Sequence, residues 1–516
     1  MDACLLYRDS STDGRKGYDF RQDMIKDFNL DILFRTMARD DFLISEKVRK
    51  VVLIPLTSPE EILYRQEVLQ ELYHFSCLTE EMYECARRQE KALQKYKEER
   101  ERFYSRSTRK TGEILETLAF LARGQEELTG LKKLLEEYDG RLHSEGMINL
   151  LARMREQPLE EIGTKLKEME FFISSGEIGC TVQFGGGMKM DRLQINYCTT
   201  EKRQGGQSSL RGIQKFYNKL VRKNTIPIHS NVVLREEVAH LKETAVEQML
   251  KRFRPYLGEM ITFFEHFIEE TAFYVGVIQF MKRMKEIGIP LTMPEPRPEG
   301  SGDTRFENLF ELSMAVYLQT IPVGNDLTMR DNVLTLVTGA NQGGKSTFLR
   351  SYGIAQVLMQ CGMPVPAARF SAPVYRHIFT HFTRRESEKM DSGRLQEELK
   401  RMSGMICAAG PGSLFLLNES FASTTEKEGT RIAGAILRAF YEKGIKTMMV
   451  THLYQLAHEL YHENMPGVLF LTAERQEDGT RTYKMVPGEP SHTSYGTDLF
   501  RLLEDELASE GLEIFT

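Results

Sequence analysis

A short apolar run that leads directly into a glycine-rich segment constrains this chain more than any other feature. Residues 333–338 read VLTLVT, residues 339–346 read GANQGGKS, and a helical pattern, FLRSYGIAQVLMQC, follows. This is the G-x-x-x-x-G-K-S pattern of a phosphate-binding loop between a strand and a helix. Glycine lets backbone N–H groups surround phosphate oxygens without a β-carbon in the way. The segment therefore predicts a nucleoside triphosphate site.

The loop residues have distinct expected roles. Lys345 is expected to reach the β- and γ-phosphates, and the Ser346 hydroxyl to ligate Mg²⁺. The start of the following helix adds a partial positive charge. The predicted cofactors are therefore ATP and Mg²⁺. The loop residues predicted to contact the nucleotide are Gly339, Asn341, Gly343, Gly344, Lys345, Ser346 and Thr347.

A second apolar run, SLFLLN at 413–418, ends in polar residues. Glu419 can orient and deprotonate the water that attacks the γ-phosphate, which makes it a candidate catalytic base. Asn418 stands where an Asp normally supports Mg²⁺, and its amide keeps an oxygen ligand but loses the negative charge. Despite this departure ATP binding is still expected, whereas Mg²⁺ affinity and turnover are expected to be lower, and the rate of hydrolysis stays open.

A histidine follows the predicted strand KTMMVT at 446–451. The imidazole of His452 can hydrogen-bond a γ-phosphate and respond to its loss. The alternative is an ordinary capping residue at a strand end. Beside a phosphate loop and an acidic strand end, the sensor interpretation is favoured.

The order of predicted elements changes at a proline-rich segment. Residues 289–303 contain four prolines and two glycines, which predicts a linker without regular structure. Before it, helical patterns cover 59–76, 79–104, 111–123, 125–139, 145–174 and 232–288, with a kink expected at Pro255. After it, apolar strands at 333–338, 413–418, 446–451 and 468–472 alternate with helices, which predicts a parallel α/β domain.

A basic, strand-rich segment interrupts the helical part. IGCTVQF and DRLQINYC flank a GGG turn at 185–187 and predict a hairpin. Residues 201–224 then hold seven basic residues against one acidic residue, which favours contact with the phosphate backbone of DNA. The alternative is a solvated helix face with a loop. The predicted DNA-binding residues are Lys202, Arg203, Arg211, Lys215, Lys219, Arg222 and Lys223.

Composition excludes several classes of protein. The formal net charge is −6, so any nucleic-acid surface must be a local patch. The seven cysteines are scattered without a C-x-x-C, which argues against a zinc knuckle and a disulfide framework. No apolar run approaches the ~18 residues of a membrane span, and the first residues lack the pattern of a secretory signal. We therefore predict a cytoplasmic protein with no membrane partner.

Several motifs together resemble the MutS family of DNA mismatch-repair ATPases. They are TGANQGGKSTFLR, NESFASTTEKEG, VTHLYQL and Ser494-Tyr495-Gly496. In addition, residues 29–72, which run from NLDILF to QEVLQEL, are similar to the start of the family's lever domain. The resemblance is specific over 304–500 and weaker but collinear over 28–288. It implies an α/β P-loop ATPase domain, C-terminal to a mainly α-helical lever domain with a small β-rich, clamp-like insert.

The resemblance also implies a domain order and further site residues. IPVGNDL at 321–327 is similar to the segment that lies against the nucleotide base, which implies Val323 and Asn325 as base contacts. Ser392 is the candidate for the signature serine that faces the partner's nucleotide in a homodimer, although two registers fit equally well. The implied divisions are an N-terminal segment 1–27, helical lever 28–177, clamp-like insert 178–231, returning lever helices 232–288, linker 289–303 and ATPase domain 304–516.

The function implied is ATP-dependent gripping of DNA by a dimer. The F-x-E motif that family members wedge beside a mispaired base is missing before the lever, so branched or distorted DNA is expected in preference to a single mismatch. The alternative is a nucleotide-dependent scaffold with little hydrolysis, whose basic insert binds a protein partner. Asn418 is the residue that favours this alternative.

Overall fold

A computed structural model describes residues 3–8, 17, 19–105, 110–175, 177–184, 190–199, 232–384, 393–476 and 480–491. The chain forms two compact units. The first unit comprises Met1–Ala3, Glu80–Leu142 and Ile148–Ile268, and the second comprises Cys4–Thr79, His143–Met147 and Glu269–Thr516. No helix in the described ranges is both long enough and apolar enough to cross a membrane.

Helices dominate the first part of the chain, whereas strands and helices alternate in the second. The described helices are α1 (Arg21–Asp27), α2 (Leu30–Ala38), α3 (Phe42–Val52), α4 (Pro59–His74), α5 (Ser76–Ser105), α6 (Lys110–Glu137), α7 (Glu145–Glu156), α8 (Leu159–Ser175), α9 (Val232–Glu286), α10 (Leu312–Leu318), α11 (Lys345–Gln360), α12 (Arg394–Ala408), α13 (Glu426–Glu442) and α14 (Tyr454–His462). The described strands are β1 (Glu177–Phe184), β2 (Met190–Thr199), β3 (Glu295–Arg297), β4 (Thr304–Leu309), β5 (Asn325–Met329), β6 (Leu334–Thr338), β7 (Arg369–Pro373), β8 (His377–Phe382), β9 (Ser413–Asn418), β10 (Lys446–Val450), β11 (Val468–Arg475) and β12 (Arg481–Pro487).

Long helices pack against each other in the first unit. Leu118, Leu121 and Leu128 of α6 are buried, and their spacing places them on one face of the helix. The Tyr96 ring of α5 stacks on the Phe120 ring of α6, with the ring centroids 4.6 Å apart. The stacked Tyr96 and Phe120 rings, with the Tyr96 hydroxyl 3.4 Å from the Thr117 Oγ1, therefore join α5 to α6.

The helices predicted at 59–76, 79–104 and 232–288 are confirmed as α4, α5 and α9. The start of α4 is fixed by a side-chain cap, because the Ser58 hydroxyl accepts the Glu61 N–H at 3.4 Å. Such a cap satisfies one of the N–H groups that the first helical turn leaves unpaired.

Two predicted helix boundaries are wrong. The two helices predicted on either side of Gly124 are one helix, α6. A β-carbon at Gly124 would lie 2.2 Å from the Met260 sulfur, so this glycine permits close helix packing and does not end the helix. The single helix predicted at 145–174 is divided into α7 and α8. Pro158 lies between them, and its ring and missing N–H disfavour a continuous helix. By contrast, α9 continues through Pro255.

The predicted hairpin is confirmed. Strands β1 and β2 pair antiparallel, with Glu177 opposite Thr199 and Gln183 opposite Arg192. A register shift at Cys180 marks an irregularity in the pairing. The helical tract of the first unit is therefore interrupted by strands where the sequence predicts.

A six-stranded sheet in the order β12-β11-β6-β10-β9-β8 lies in the second unit. The last five strands of this order are parallel, and β12 pairs antiparallel with β11 at the edge. The strands predicted at 333–338, 413–418, 446–451 and 468–472 are β6, β9, β10 and β11. Strand β6 is buried along its whole length, as parallel strands covered on both faces are. The α/β prediction for this part is confirmed.

Helices α13 and α14 cover this sheet through one apolar cluster. It includes Leu336, Phe415 and Met449 from three adjacent strands, with Leu437 of α13 and Leu456 of α14. Burial of such side chains is the main favourable term in folding. The cluster therefore fixes the strands whose carboxyl ends carry the candidate site.

The prediction of irregular structure throughout 289–303 is wrong at Glu295–Arg297, which form β3. This strand pairs parallel with β7 at the edge of a four-stranded sheet of order β3-β7-β4-β5. An edge strand tolerates Pro296 because one side of its backbone needs no partner. The Arg297 Nε donates to the Ser371 hydroxyl at 2.7 Å, which adds a side-chain link to the same strand pair.

The first helix of the second unit is attached to the helix that follows the phosphate loop. The Arg350 Nε of α11 donates to the carbonyl oxygen of Asp27 at 2.9 Å. The next residue, Phe28, lies against Gly353, where a β-carbon would come within 2.2 Å of its ring. These contacts between residues more than 300 apart in the chain have no sequence signature.

Candidate nucleotide site

The phosphate loop connects β6 to α11 at the carboxyl edge of the parallel strands. Gly339 and Gly344 have φ of 120° and 87°, a conformation that only glycine adopts without strain from a β-carbon. A β-carbon on Gly339 or on Gly343 would lie 2.9 Å from the Cβ of Ala473 on the neighbouring strand β11. The backbone and the adjacent strand together therefore explain glycine at these positions.

Lys345 is the first residue of α11 and is buried. Its Nζ donates to the carbonyl oxygens of Gly339 at 2.8 Å and Ala340 at 2.9 Å. Burial lowers the pKa of Lys345, and the nearby carboxylate of Glu419 opposes this shift. Phosphate oxygens can replace the carbonyl partners and form stronger, charge-assisted hydrogen bonds. The geometry suits a triphosphate.

Ser346 and Asn418 meet although they are 72 residues apart. The Ser346 hydroxyl donates to the Asn418 Oδ1 at 2.8 Å. Asn418 ends β9 and lies opposite Val450 of β10, so the strand register brings it to the loop. A hydroxyl and an amide carbonyl are oxygen ligands of the type that Mg²⁺ prefers. These residues therefore fit the predicted Mg²⁺ site, and their role as its ligands stays a prediction.

Glu419 and His452 form a pair beside Lys345. The Glu419 Oε1 and His452 Nε2 atoms are 2.7 Å apart. Hydrogen bonding to His452 lowers the pKa of Glu419, burial opposes this, and the Lys345 charge lowers it further. A low pKa keeps the carboxylate ionised, as a general base must be before it accepts a proton. Both candidate catalytic residues therefore lie in one constellation with the loop.

The backbone around Glu419 is unusual. We call residues 418–421 the acidic turn. Within it, Glu419 has φ of 54° and Phe421 has φ of 65°, although neither is glycine. The Glu419 N–H donates to the carbonyl oxygen of Val450 at 2.8 Å, which ties the turn to β10. Non-glycine residues rarely adopt this conformation, and surrounding contacts must hold them there.

Sequence reasoning missed Glu398 and His381, two residues outside the acidic turn that hold it. The Glu398 carboxylate of α12 accepts the Phe421 N–H at 3.0 Å. His381 Nδ1 lies 2.7 Å from the Ser420 Oγ, which donates to the His381 carbonyl oxygen at 2.9 Å. Burial lowers the pKa of His381 to about 4, so the ring is neutral at physiological pH. The other ring nitrogen, Nε2, lies 3.3 Å from the carbonyl oxygen of Glu398, so the His381 ring lies between Ser420 and α12.

The two residues predicted to contact the nucleotide base differ in their exposure to solvent. Val323 is 46% exposed, whereas Asn325 is buried. The Asn325 Oδ1 accepts the Met485 N–H at 2.7 Å, and its Nδ2 lies 3.5 Å from the Tyr483 carbonyl oxygen. A β-carbon at Gly344 would lie 3.5 Å from the Tyr483 ring, so Asn325 fixes β12 beside the phosphate loop. The base contacts of Val323 and Asn325 stay predictions.

The remaining predicted residues are placed as follows. Asn341 is exposed on the loop, and the Thr347 carbonyl accepts the Ser351 hydroxyl at 2.8 Å within α11. Ser392 and the segment 494–496 lie outside the described residues. The predicted DNA-binding residues also lie outside them, namely Lys202, Arg203, Arg211, Lys215, Lys219, Arg222 and Lys223.

Comparison with known families agrees with this geometry. Residues 335–504 match MutS domain V, and residues 57–287 match the MutS2 N-terminal domain. The chain belongs to the MutS family. Its MutS domain V, a P-loop ATPase domain, begins within β6 and includes the phosphate loop, the acidic turn and His452.

Relatives with curated names match parts of this MutS-family chain. Endonuclease MutS2 of Streptococcus suis (strain 05ZYH33) is 27% identical over 266 residues, which are 51% of this chain and 33% of the relative. DNA mismatch repair protein MutS of Thermotoga neapolitana is 33% identical over 180 residues, 34% of this chain and 22% of the relative. The matches thus span a third or less of the length of these two relatives.

Proposed function

We propose that this MutS-family chain is an ATP-dependent DNA-binding protein. In this proposal, ATP binding and hydrolysis drive closure of the ATPase heads of a homodimer and gripping of mismatched, branched or distorted DNA. The observation that supports it is the convergence of the phosphate loop, the Ser346–Asn418 pair and the Glu419–His452 pair at one edge of a parallel sheet. Ligands of open α/β sheets bind at such carboxyl edges.

Each residue of the site has a separate task in ATP hydrolysis. Lys345 and the loop N–H groups bind the phosphates, and Ser346 and Asn418 would hold Mg²⁺, which neutralises phosphate charge. Glu419 accepts the proton of the attacking water. His452 donates to the γ-phosphate when ATP is bound, and its Nε2 also lies 2.7 Å from the Glu419 Oε1. Exchange between these two partners couples the acidic turn to the nucleotide state.

DNA binding is proposed from the sequence and from the relatives. One relative is named a DNA mismatch repair protein and the other an endonuclease. Residues 201–224 of this chain carry the basic charge that phosphate contacts need. We further propose that the chain acts in the cytoplasm as a homodimer and has no membrane partner.

Binding of linear, mismatched and four-way DNA at stated salt, with and without ATP, tests this function. Reversing the charge of Arg211, Lys215 and Lys219 to Glu should weaken DNA binding by at least about tenfold, because each phosphate contact releases counterions. ATP turnover without DNA should not change. Reversal of three exposed lysines elsewhere, Lys91, Lys95 and Lys167, controls for net charge. Unchanged DNA affinity in the first variant would contradict the DNA-binding assignment.

A nucleotide-dependent scaffold with little hydrolysis is the second candidate. The observation that favours it is the neutral Asn418 amide at the position that contacts Ser346. Under this candidate, Asn418→Asp should raise ATP turnover by about tenfold, since an added carboxylate binds Mg²⁺ more strongly. Single-turnover and steady-state ATPase assays measure the change. Equal turnover in the wild-type and Asp variants would argue against a chain adapted for slow hydrolysis.

A further inference from the structure

Two histidines of α14 face each other at a place that the nucleotide site does not use. Residues 458–462 read HELYH, an H-E-x-x-H pattern, and residues four apart share one face of a helix. The side chains of His458 and His462 are exposed, and their Nε2 atoms are 2.9 Å apart. The helix is anchored to the sheet by other residues, among them Leu456 and Leu460.

We propose that His458 and His462 form a chelating site for a divalent transition-metal ion such as Zn²⁺, Ni²⁺ or Cu²⁺. Imidazole nitrogen suits these ions, whereas Mg²⁺ prefers oxygen. The site is therefore chemically distinct from the predicted Mg²⁺ ligands. It also does not depend on the function proposed above.

The separation of the two nitrogen atoms is close to what chelation needs. Two Zn–N bonds of about 2.0–2.1 Å at a tetrahedral angle place the nitrogens about 3.3 Å apart. Small rotations of two exposed side chains open the observed 2.9 Å to that separation. The observed distance also suits one N–H···N hydrogen bond between the two rings. The metal needs a free lone pair on both Nε2 atoms, so each ring then carries its proton on Nδ1.

Acidic neighbours do not complete a catalytic zinc site. The Glu459 carboxylate accepts the Gln455 Nε2–H at 2.9 Å, and Glu463 is paired with Arg438. Among the described residues, no group of three or more His, Cys, Asp or Glu could hold a metal ion. Zinc peptidases with this motif need a third protein ligand. We therefore assign metal chelation with water in the remaining positions, without hydrolytic activity.

Calorimetric titration of the untagged, chelator-treated chain with ZnCl₂ and NiCl₂, without nucleotide, tests the proposal. We expect one ion bound per chain, with affinity at least about tenfold weaker in His458→Ala and in His462→Ala, because each variant loses one arm of the chelate. His143→Ala removes another exposed histidine, whose side chain is 83% accessible, and should leave the affinity unchanged.

A spectroscopic measurement distinguishes this site from a single-histidine contact. Electron paramagnetic resonance with Cu²⁺ should show hyperfine coupling to two imidazole nitrogens in the wild type and to one in each variant. Unchanged affinity in both alanine variants, or no binding by the wild type at millimolar metal, would overturn the assignment. Since both histidines are exposed, the variants should keep wild-type circular dichroism, which separates loss of the site from loss of the fold.

Discussion

The phosphate loop and the acidic turn follow two parallel strands that flank β10, and they differ in how far they use glycine to reach left-handed backbone conformations. The loop places glycine at 339 and 344 and only one non-glycine residue, Gln342, at a positive φ, whereas both positive-φ residues of the acidic turn, Glu419 and Phe421, carry side chains. A left-handed conformation costs a non-glycine residue roughly 1–2 kcal/mol. Glycine avoids this cost locally, while the acidic turn depends on the hydrogen bond that the Phe421 N–H donates to Glu398 and on the one that the Ser420 hydroxyl donates to the His381 carbonyl oxygen.

From this difference we expect nucleotide binding and ATP hydrolysis to depend on different parts of the site. The loop presents N–H groups and Lys345, so it should determine nucleotide affinity. The acidic turn presents Glu419 at a fixed position, so it should determine the rate of hydrolysis. Variants that affect one region and spare the other test this separation.

The largest effect is expected from Lys345→Ala. The variant removes the buried cation whose partners a triphosphate would replace, so ATP affinity should fall by at least about 100-fold. Equilibrium binding of a fluorescent ATP analogue measures it, with the exposed Lys427→Ala as control. Thermal unfolding without nucleotide shows whether the fold is intact. Normal ATP affinity in a folded variant would contradict the site.

Gly339→Ala tests how far the loop depends on glycine. A methyl group there combines φ of 120° with a 2.9 Å approach to the Ala473 backbone nitrogen. The free energy of unfolding should fall by about 2 kcal/mol or more, and ATP affinity should fall with it. Gly410→Ala is the matched control, because a β-carbon there meets nothing within 4 Å. Equal denaturation midpoints for both variants would show that the loop tolerates a side chain.

Glu398→Ala tests whether a residue that is not predicted to contact the nucleotide holds the acidic turn in place. Loss of the bond to the Phe421 N–H should let the turn relax and displace Glu419, which would lower kcat by about tenfold. ATP affinity should be unchanged, because the loop is untouched. Glu398→Gln keeps an oxygen acceptor and should restore most of the rate. An equal loss in both variants would indicate that the carboxylate charge matters, and not the hydrogen bond.

The smallest effect is expected in the pH dependence. His452→Asn removes the hydrogen bond that lowers the pKa of Glu419, so burial dominates and the pKa rises. The acid limb of the ATP turnover profile should therefore move to higher pH.

The same bond also bears on stability. In the wild type, a folded pKa below the ordinary 4.5 makes Glu419 stabilising above that value, and this stability is lost as the pH falls through the lower folded pKa. The variant should lose less stability on acidification over that range. If the ATP turnover of the variant is lower at every pH but its acid limb stays at the same pH, the hydrogen bond between His452 and Glu419 does not set the pKa of Glu419.

How much of the fold and of the site could be predicted depends on whether the residues concerned are neighbours in the chain. The strands and the phosphate loop could be predicted from the sequence, and Glu419 and His452 could be proposed as candidates. Each of these features is a pattern of neighbouring residues, because an apolar strand is followed either by glycines or by a polar residue. The helix boundaries at Gly124 and Pro158 could not be predicted. Gly124 lies inside a continuous helix because its lack of a side chain allows close packing against Met260, whereas Pro158 separates two helices although the apolar pattern continues past it. The pairing of β3 with β7 was hidden by the prolines around it.

The amino-acid sequence by itself determined the α/β order of the second unit, the phosphate loop and the chemical types available at its edge, because these are encoded in neighbouring residues. Only the tertiary structure decided that Asn325 fixes β12, that Glu398 and His381 hold the acidic turn, and that α1 attaches to α11. These contacts join residues that are distant along the chain, and their energies depend on burial and hydrogen-bond geometry that no local pattern specifies.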